Sequence, residues 1–204
     1  KAGEQSVLMK EAIVGYFFGS FPTGYLIAKK KNVDIQHEGS GNSGTTNALR
    51  TMGAKAGLIT FLGDVLKAMI PVVLVRILLK DTKDFATFIA LCTGFGVVLG
   101  HNFPCWLKFK GGKGIAVTAS VIISIADYRV ILIGLALFIA LVAATRYVSV
   151  GSLMVALLLP INTLLFHLEN KWFVPMLVIS AAFTILAYIR HAANIKRLLN
   201  GTEN

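Results

Sequence analysis

Between residues 130 and 166 the chain carries one charged side chain, Arg146, and no other feature constrains the fold so strongly. A soluble domain has no place for such a stretch, because about a quarter of its residues are ordinarily charged. Here the charged share is 15%, the hydrophobic share is 55% and the mean hydropathy is +0.72. Crossing a bilayer core takes roughly 20 apolar residues of helix. Seven apolar segments reach or approach that length, at about 12–28, 56–79, 86–107, 114–126, 130–145, 147–166 and 172–189. The fourth is short and needs tilt or support from its neighbours. Helices satisfy their own backbone groups in lipid, so the expected fold is all-α. It is a polytopic bundle of about seven transmembrane helices, a single integral membrane domain over residues 1–204 with no internal repeat. Gly15, Gly19, Gly94, Gly96 and Gly100 offer places for close helix contact, the first two in G-x-x-x-G spacing. Residues 1–9 lack a signal-peptide cleavage pattern and read as a flexible lead-in or as residues added to the natural chain.

The net charge of +10 raises nucleic acid as a partner. The cations crowd at segment ends, which fits anionic lipid headgroups instead. Twelve of the Lys and Arg residues flank one set of ends and seven the other, with Lys67 inside a segment. The richer side should be cytoplasmic, which puts the N-terminus outside and the C-terminus inside. Two cysteines make no disulfide framework, and no Cys/His/Asp spacing matches a metal site. Neither metal nor cofactor is expected.

Three polar clusters interrupt the apolar chain on the cation-rich side. The first runs from Gly39 to Asn47, behind the basic run Lys29–Lys31. Gly39 and Gly41 let backbone N–H groups approach an anion closely, and Ser40, Asn42 and Ser43 add polar side chains. Thr45, Thr46 and Asn47 are placed to cap a helix running through Arg50, whose guanidinium fork suits phosphate. The plain alternative is a flexible loop with an ordinary N-cap.

The second cluster is His101-Asn102-Phe103-Pro104 followed by Phe109-Lys110-Gly111-Gly112-Lys113-Gly114. It looks like a nucleotide P-loop but has the wrong glycine spacing, and Ile115 stands where Ser or Thr is required, so no ATP site is expected. It reads as a phosphate and carbonyl cradle formed by the glycine amides, with Lys110 and Lys113 in reach. Lysines snorkelling at the interface are the alternative. His101 is read as a substrate contact or a structural hydrogen-bonder. In the third cluster Arg190, Asn194 and Arg197 fall at i, i+4 and i+7 and would share one helical face with His191 nearby. A cation-rich helix C-terminus is the simpler reading. Leu198-Leu199 extends it as an interfacial tail. Asp64 and Lys67, three apart inside the second segment, are expected to pair with each other or with a cluster residue as structural groups.

The strings GSGNSGTTNALR at 39–50, HNFPCWLKFKGGKGIA at 101–116 and RHAANIKRLLNGTE at 190–203, with Asp64-Val65-Leu66-Lys67, resemble those of bacterial acyl-phosphate-dependent glycerol-3-phosphate acyltransferases over nearly the whole chain. The H-x-x-x-x-D motif of other acyltransferases is absent, since Trp106 stands five residues after His101. The resemblance implies acyl transfer from acyl phosphate to the 1-position hydroxyl of glycerol 3-phosphate. The products would be lysophosphatidate and inorganic phosphate, at the entry to phospholipid biosynthesis. It implies a bacterial inner-membrane protein with its active site facing the cytoplasm, independent of acyl carrier protein and coenzyme A. Roles carry over to Ser40 and Arg50, to Gly111, Gly112 and Gly114, and to His191 and Asn194, with Glu203 structural. Together with the cluster readings above, this makes Ser40, Lys113, His191 and Asn194 the expected catalytic set. The substrate-binding set is Gly39, Gly41, Asn42, Ser43, Thr45, Thr46, Asn47, Arg50, His101, Lys110, Gly111, Gly112, Gly114 and Arg197.

The chemistry is consistent with that composition. Acyl phosphate is a mixed anhydride with a good leaving group, so the protein needs only to hold two anions together and orient a hydroxyl. An organophosphate transporter would show paired broken helices and internal symmetry, which the sequence does not. A non-catalytic lipid-binding membrane protein would not turn over the donor.

Overall fold

The structure, a computed structural model, describes residues 2–203. Every regular element among them is helical. The chain packs as two compact units, Lys1–Val121 and Ile122–Asn204.

The first unit holds α1 (Ala2–Gly19), α2 (Thr23–Lys30), α3 (Thr45–Met52), α4 (Ala54–Leu78) and α5 (Lys83–Asn102), then a 3-10 turn at Cys105–Leu107 and the start of α6 (Ile115–Ile125). Two expectations need correction here. Residues 2–9 are not a loose lead-in but the first turns of α1. The apolar segment 12–28 is not one helix, because α1 stops at Gly19 and α2 begins at Thr23. Pro22 has no N–H to offer a continuing helix. The freed carbonyls of this break are taken by side chains from elsewhere: Trp106 Nε1 donates to the Ser20 carbonyl at 2.9 Å and Lys67 Nζ to the Phe21 carbonyl at 3.0 Å. The Tyr16 hydroxyl in turn donates to the Phe103 carbonyl, just past α5, at 2.8 Å.

α1 and α5 meet at backbone contact. A Cβ on Gly15, Gly19, Gly96 or Gly100 would overlap the carbonyl oxygen of Thr93, Val97, Ala12 or Tyr16 respectively. Without a hydrophobic driving force between helices in lipid, such close approach is what holds them. Gly94 serves another contact, facing Val121.

α4 shows how a helix apolar all round is still two-faced. Leu58, Leu62, Leu66, Ile70, Leu74 and Ile77 are exposed at near-helical spacing. Thr60, Asp64, Lys67, Ala68, Pro71, Val72 and Val75 are buried on the opposite side. The polar residues point inward, as they must where the outer solvent is hydrocarbon.

The second unit continues from α6 into α7 (Tyr128–Thr145), α8 (Val148–Val155), α9 (Leu158–Phe166), α10 (Phe173–Arg190) and α11 (Ala192–Leu199). Asp127 caps α7 by accepting from the Arg129 amide at 2.9 Å. The expected segment 147–166 is divided at Ala156-Leu157 into α8 and α9. Pro160 lies in the first turn of α9, where a missing N–H costs nothing. Among the described residues five helical stretches are long and apolar enough to cross a membrane: Ala54–Leu78, Lys83–Leu107 (α5 with the 3-10 turn), Tyr128–Thr145, Val148–Phe166 (α8 with α9) and Phe173–Arg190. Ile115–Ile125 is apolar but shorter.

Candidate active site

The first cluster is a loop tied down by one buried side chain. Asn47 is 2% exposed. Its Oδ1 accepts from the Ser40 amide at 2.9 Å, and its Nδ2 donates to the carbonyls of Glu38 at 3.0 Å and Ile35 at 3.3 Å. Gly39 and Gly41 take positive φ angles of 59° and 66°, where side chains are disfavoured. Ile35, Ala28 and Ala48 pack beneath as a small core. Asn47 is thereby occupied in shaping the loop. The expected cap is also corrected: α3 starts at Thr45, but its N-cap is Gly44, with no side-chain cap bond. The Asn42 Oδ1 instead accepts from the Gly44 amide at 2.7 Å. Ser40 and Thr46 are exposed, Thr45 is half-buried and Ser43 is buried. Arg50 is exposed in the last turn of α3 and makes no hydrogen bond or ion pair among the described residues.

The second cluster folds back on the end of α5. Lys108 and Phe109 both sit in the left-handed region, a sparse conformation for bulky residues. The chain then returns so that the Gly111 and Gly112 amides donate to the carbonyls of Asn102 and His101, at 3.1 and 3.0 Å. These two amides were expected to face an anion, and in this structure they are engaged inside the chain. What their glycines supply is room. A Cβ on Gly111 would overlap the His101 carbonyl, and one on Gly112 would overlap the His101 ring. Gly114, at φ +82°, faces the Asn102 side chain. Lys113 is half-buried and Lys110 is exposed. Gln36, which no sequence spacing singles out, donates from Nε2 to the Lys110 carbonyl at 3.1 Å and joins the two clusters.

Beneath them lies a buried charge cluster. Lys67 Nζ is 2.8 Å from Asp64 Oδ1, 2.9 Å from His101 Nδ1 and 3.0 Å from the Phe21 carbonyl. These acceptors use the three protons of the ammonium. Because Lys67 can only donate, His101 Nδ1 is the acceptor, and the neutral ring carries its proton on Nε2. Asp64 and Lys67 are 2% and 7% exposed. With Ser43, Pro104 and the break at Gly19–Gly24 they line a small pocket.

The third cluster belongs to the second unit. The helix does not run through it: α10 ends at Arg190, His191 lies between, and α11 begins at Ala192. Arg190 therefore does not continue the face of Asn194 and Arg197 as expected. The His191 Nδ1 lies 2.8 Å from the Ala187 carbonyl, so Nδ1 carries the proton and Nε2 is the acceptor in the neutral ring. Glu203 closes on α11. Its carboxylate accepts from Asn194 Nδ2 at 2.6 Å and from Arg197 Nε at 2.8 Å. Burial pushes the Glu203 carboxyl up, but hydrogen bonds from Asn194, Ser149 and Arg197 outweigh it and hold the group below its ordinary value.

Comparison with known proteins then decides the family. Residues 11–201 match the model of the family described as glycerol-3-phosphate acyltransferase. The chain belongs to that family. It is 41% identical to the glycerol-3-phosphate acyltransferase of Geobacter sulfurreducens over 94% of this chain and 93% of that one. The corresponding protein of Thermotoga petrophila is 42% identical over 94% and 92%. A crystal structure of PlsY (YgiH), an integral membrane glycerol 3-phosphate acyltransferase in its glycerol 3-phosphate form, superposes with a TM-score of 0.82 at 34% identity, covering 97% of this chain and 94% of that one. The lysophosphatidic acid form of PlsY gives 0.79. Like PlsY, the present acyltransferase is a helical membrane protein, and the matched residues take in the first two polar strings and the third as far as Gly201.

Proposed function

We propose that this acyltransferase moves a fatty acyl group from acyl phosphate to the 1-position hydroxyl of glycerol 3-phosphate, giving lysophosphatidate and inorganic phosphate. The observation that carries the reading is Arg50, an exposed guanidinium with no protein partner among the described residues, on the helix that follows the Ser40 loop. The glycerol 3-phosphate and lysophosphatidic acid forms of PlsY support the acceptor and the product. The donor is the one the resemblance of the three polar strings implies, and a chain rich in cations and poor in carboxylates suits two anionic substrates.

In the proposed reaction the acceptor hydroxyl oxygen bonds to the acyl carbon. The bond from that carbon to the bridging oxygen breaks, and phosphate leaves with the bridging oxygen. Arg50 and Ser40 hold the acceptor phosphate; Lys113 neutralises the donor phosphate beside Gly111, Gly112 and Gly114. The hydroxyl proton passes to the acceptor's own phosphate, whose second pKa near about 6 makes it a usable base. His191 and Asn194 position the acceptor. A second reading makes His191 the base, and its Nδ1 bond to Ala187 favours it by leaving Nε2 as the accepting nitrogen. The polar clusters are assigned to the cytoplasmic face of the inner membrane, in seven spans with the N-terminus outside. Neither acyl carrier protein nor coenzyme A takes part.

A donor comparison tests this. Purified enzyme with labelled glycerol 3-phosphate should form lysophosphatidate from palmitoyl phosphate and none from palmitoyl coenzyme A or palmitoyl carrier protein. Product from either thioester alone overturns the proposed donor.

A further inference from the structure

We infer that Asp64 and Lys67 are positioning residues for the donor loop, acting through His101. The inference rests on the reading of Gly111–Gly114 as the donor cradle. Lys67 is in contact with both the chain break at Phe21 and the ring of His101. Asp64 fixes the third proton of the ammonium. With all three directions taken, Lys67 has one orientation, and it holds Nδ1 of His101 as an acceptor. The ring cannot turn about its own axis without losing that bond. Its other edge lies against the backbone of Gly112, at the point where any Cβ would overlap. The His101 carbonyl holds the Gly112 amide from the same side. The position of Gly112, and so of Lys113 next to it, is therefore set by a histidine whose own orientation is set by a buried ion pair.

Stability alone does not call for such an arrangement. A buried ion pair is weak evidence for stability, and replacing both members with apolar groups of similar size is often neutral. An apolar pair would leave the helices packed and His101 free to turn. The cluster also lines the pocket that Ser43 enters from the first polar loop, so a shift of the ring would be felt where the two loops meet.

The test uses the full-length enzyme in detergent and in vesicles. The paired variant Asp64→Leu with Lys67→Met removes both charges together. It should remain monodisperse and melt within a few degrees of the wild type. Its kcat/KM for palmitoyl phosphate should fall by about 30-fold or more, with the KM for glycerol 3-phosphate changed by less than threefold. Wild-type kinetics in the folded paired variant overturn the inference. So does an equal loss for both substrates with a lowered melting temperature, which is what a merely structural pair would give.

If the paired variant does not fold, His101 replaces it. His101→Asn keeps an acceptor for Lys67 but cannot reach Gly112, so it should lose donor use while preserving the melting temperature. Wild-type donor kinetics in His101→Asn would equally overturn the inference. Should the wild-type enzyme itself make no lysophosphatidate from acyl phosphate, the donor reading fails instead, and the two failures are distinguished.

Discussion

Gly112→Ala adds a single methyl group where the structure has no space for it. The new Cβ would overlap the Nε2, Cε1 and Cδ2 side of the His101 ring. Elsewhere a flexible side chain would swing away. Here His101 is 7% exposed and bonded at Nδ1 to Lys67, which is itself held by Asp64 and the Phe21 carbonyl. The backbone of the loop must give instead, by roughly an ångström to restore van der Waals contact. A misplacement of about 1 Å can cost on the order of 100-fold in rate, equivalent to about 2.7 kcal/mol of activation free energy. Overpacking of this kind destabilises a fold by about 1–3 kcal/mol, so the variant should still be recoverable. The assay is the initial rate of lysophosphatidate formation against palmitoyl phosphate at saturating glycerol 3-phosphate. Gly3→Ala is the control, because its Cβ meets nothing within 4 Å. A Gly112→Ala enzyme within threefold of the wild-type kcat/KM would refute the packing argument.

Arg50→Lys keeps the charge but not the two-pronged donor, so the KM for glycerol 3-phosphate should rise about tenfold or more in steady-state kinetics. Gly100→Leu forces α1 from α5 at the Tyr16 carbonyl and should abolish recovery of a monodisperse protein, whereas Gly53→Ala, with open space at its Cβ, is strained only by its φ of 87° and should fold. The Glu203 carboxyl is held below its ordinary value, so its stabilising bonds to Asn194 and Arg197 are present above the unfolded value of about 4.3 and are lost as pH falls through the lower folded value. Proteolysis of the C-terminal residues at fixed protease activity should accordingly rise at the acid end in the wild type and be high at every pH in Glu203→Leu. Single cysteines at Ser43, Lys171 and Thr202, in a chain without Cys92 and Cys105, should show labelling by an impermeant thiol reagent in intact cells at Lys171 alone.

The sequence made the apolar segments plain because hydrocarbon imposes one rule on all of them. Their continuity was less legible. Pro22 breaks the first segment, and the groups that make the break tolerable, Trp106 and Lys67, come from far along the chain. No local pattern announces such partners. The glycines were legible as glycines, but not their task. Composition marks Gly111 and Gly112 as sites for an anion to approach, while the fold uses them to admit the His101 ring and carbonyl. Asn47 illustrates the same limit. It lies inside a phosphate-like string, yet its side chain is consumed by Ser40, Glu38 and Ile35. The i, i+4, i+7 pattern from Arg190 assumed an unbroken helix, and the stop at His191 removes the first of the three. The spacing of Asp64 and Lys67 gave their ion pair, whereas their contact with His101 needed the packing of α4 against α5.

The central claim is that an acyl group, and not a phosphoryl group, moves to glycerol 3-phosphate from acyl phosphate. Palmitoyl phosphate labelled with oxygen-18 at the bridging position tests it directly, with the products of the purified enzyme read by mass spectrometry. The account predicts one lysophosphatidate per phosphate released, with the label wholly in inorganic phosphate. Label retained in free palmitate, or phosphate release without lysophosphatidate, would contradict it.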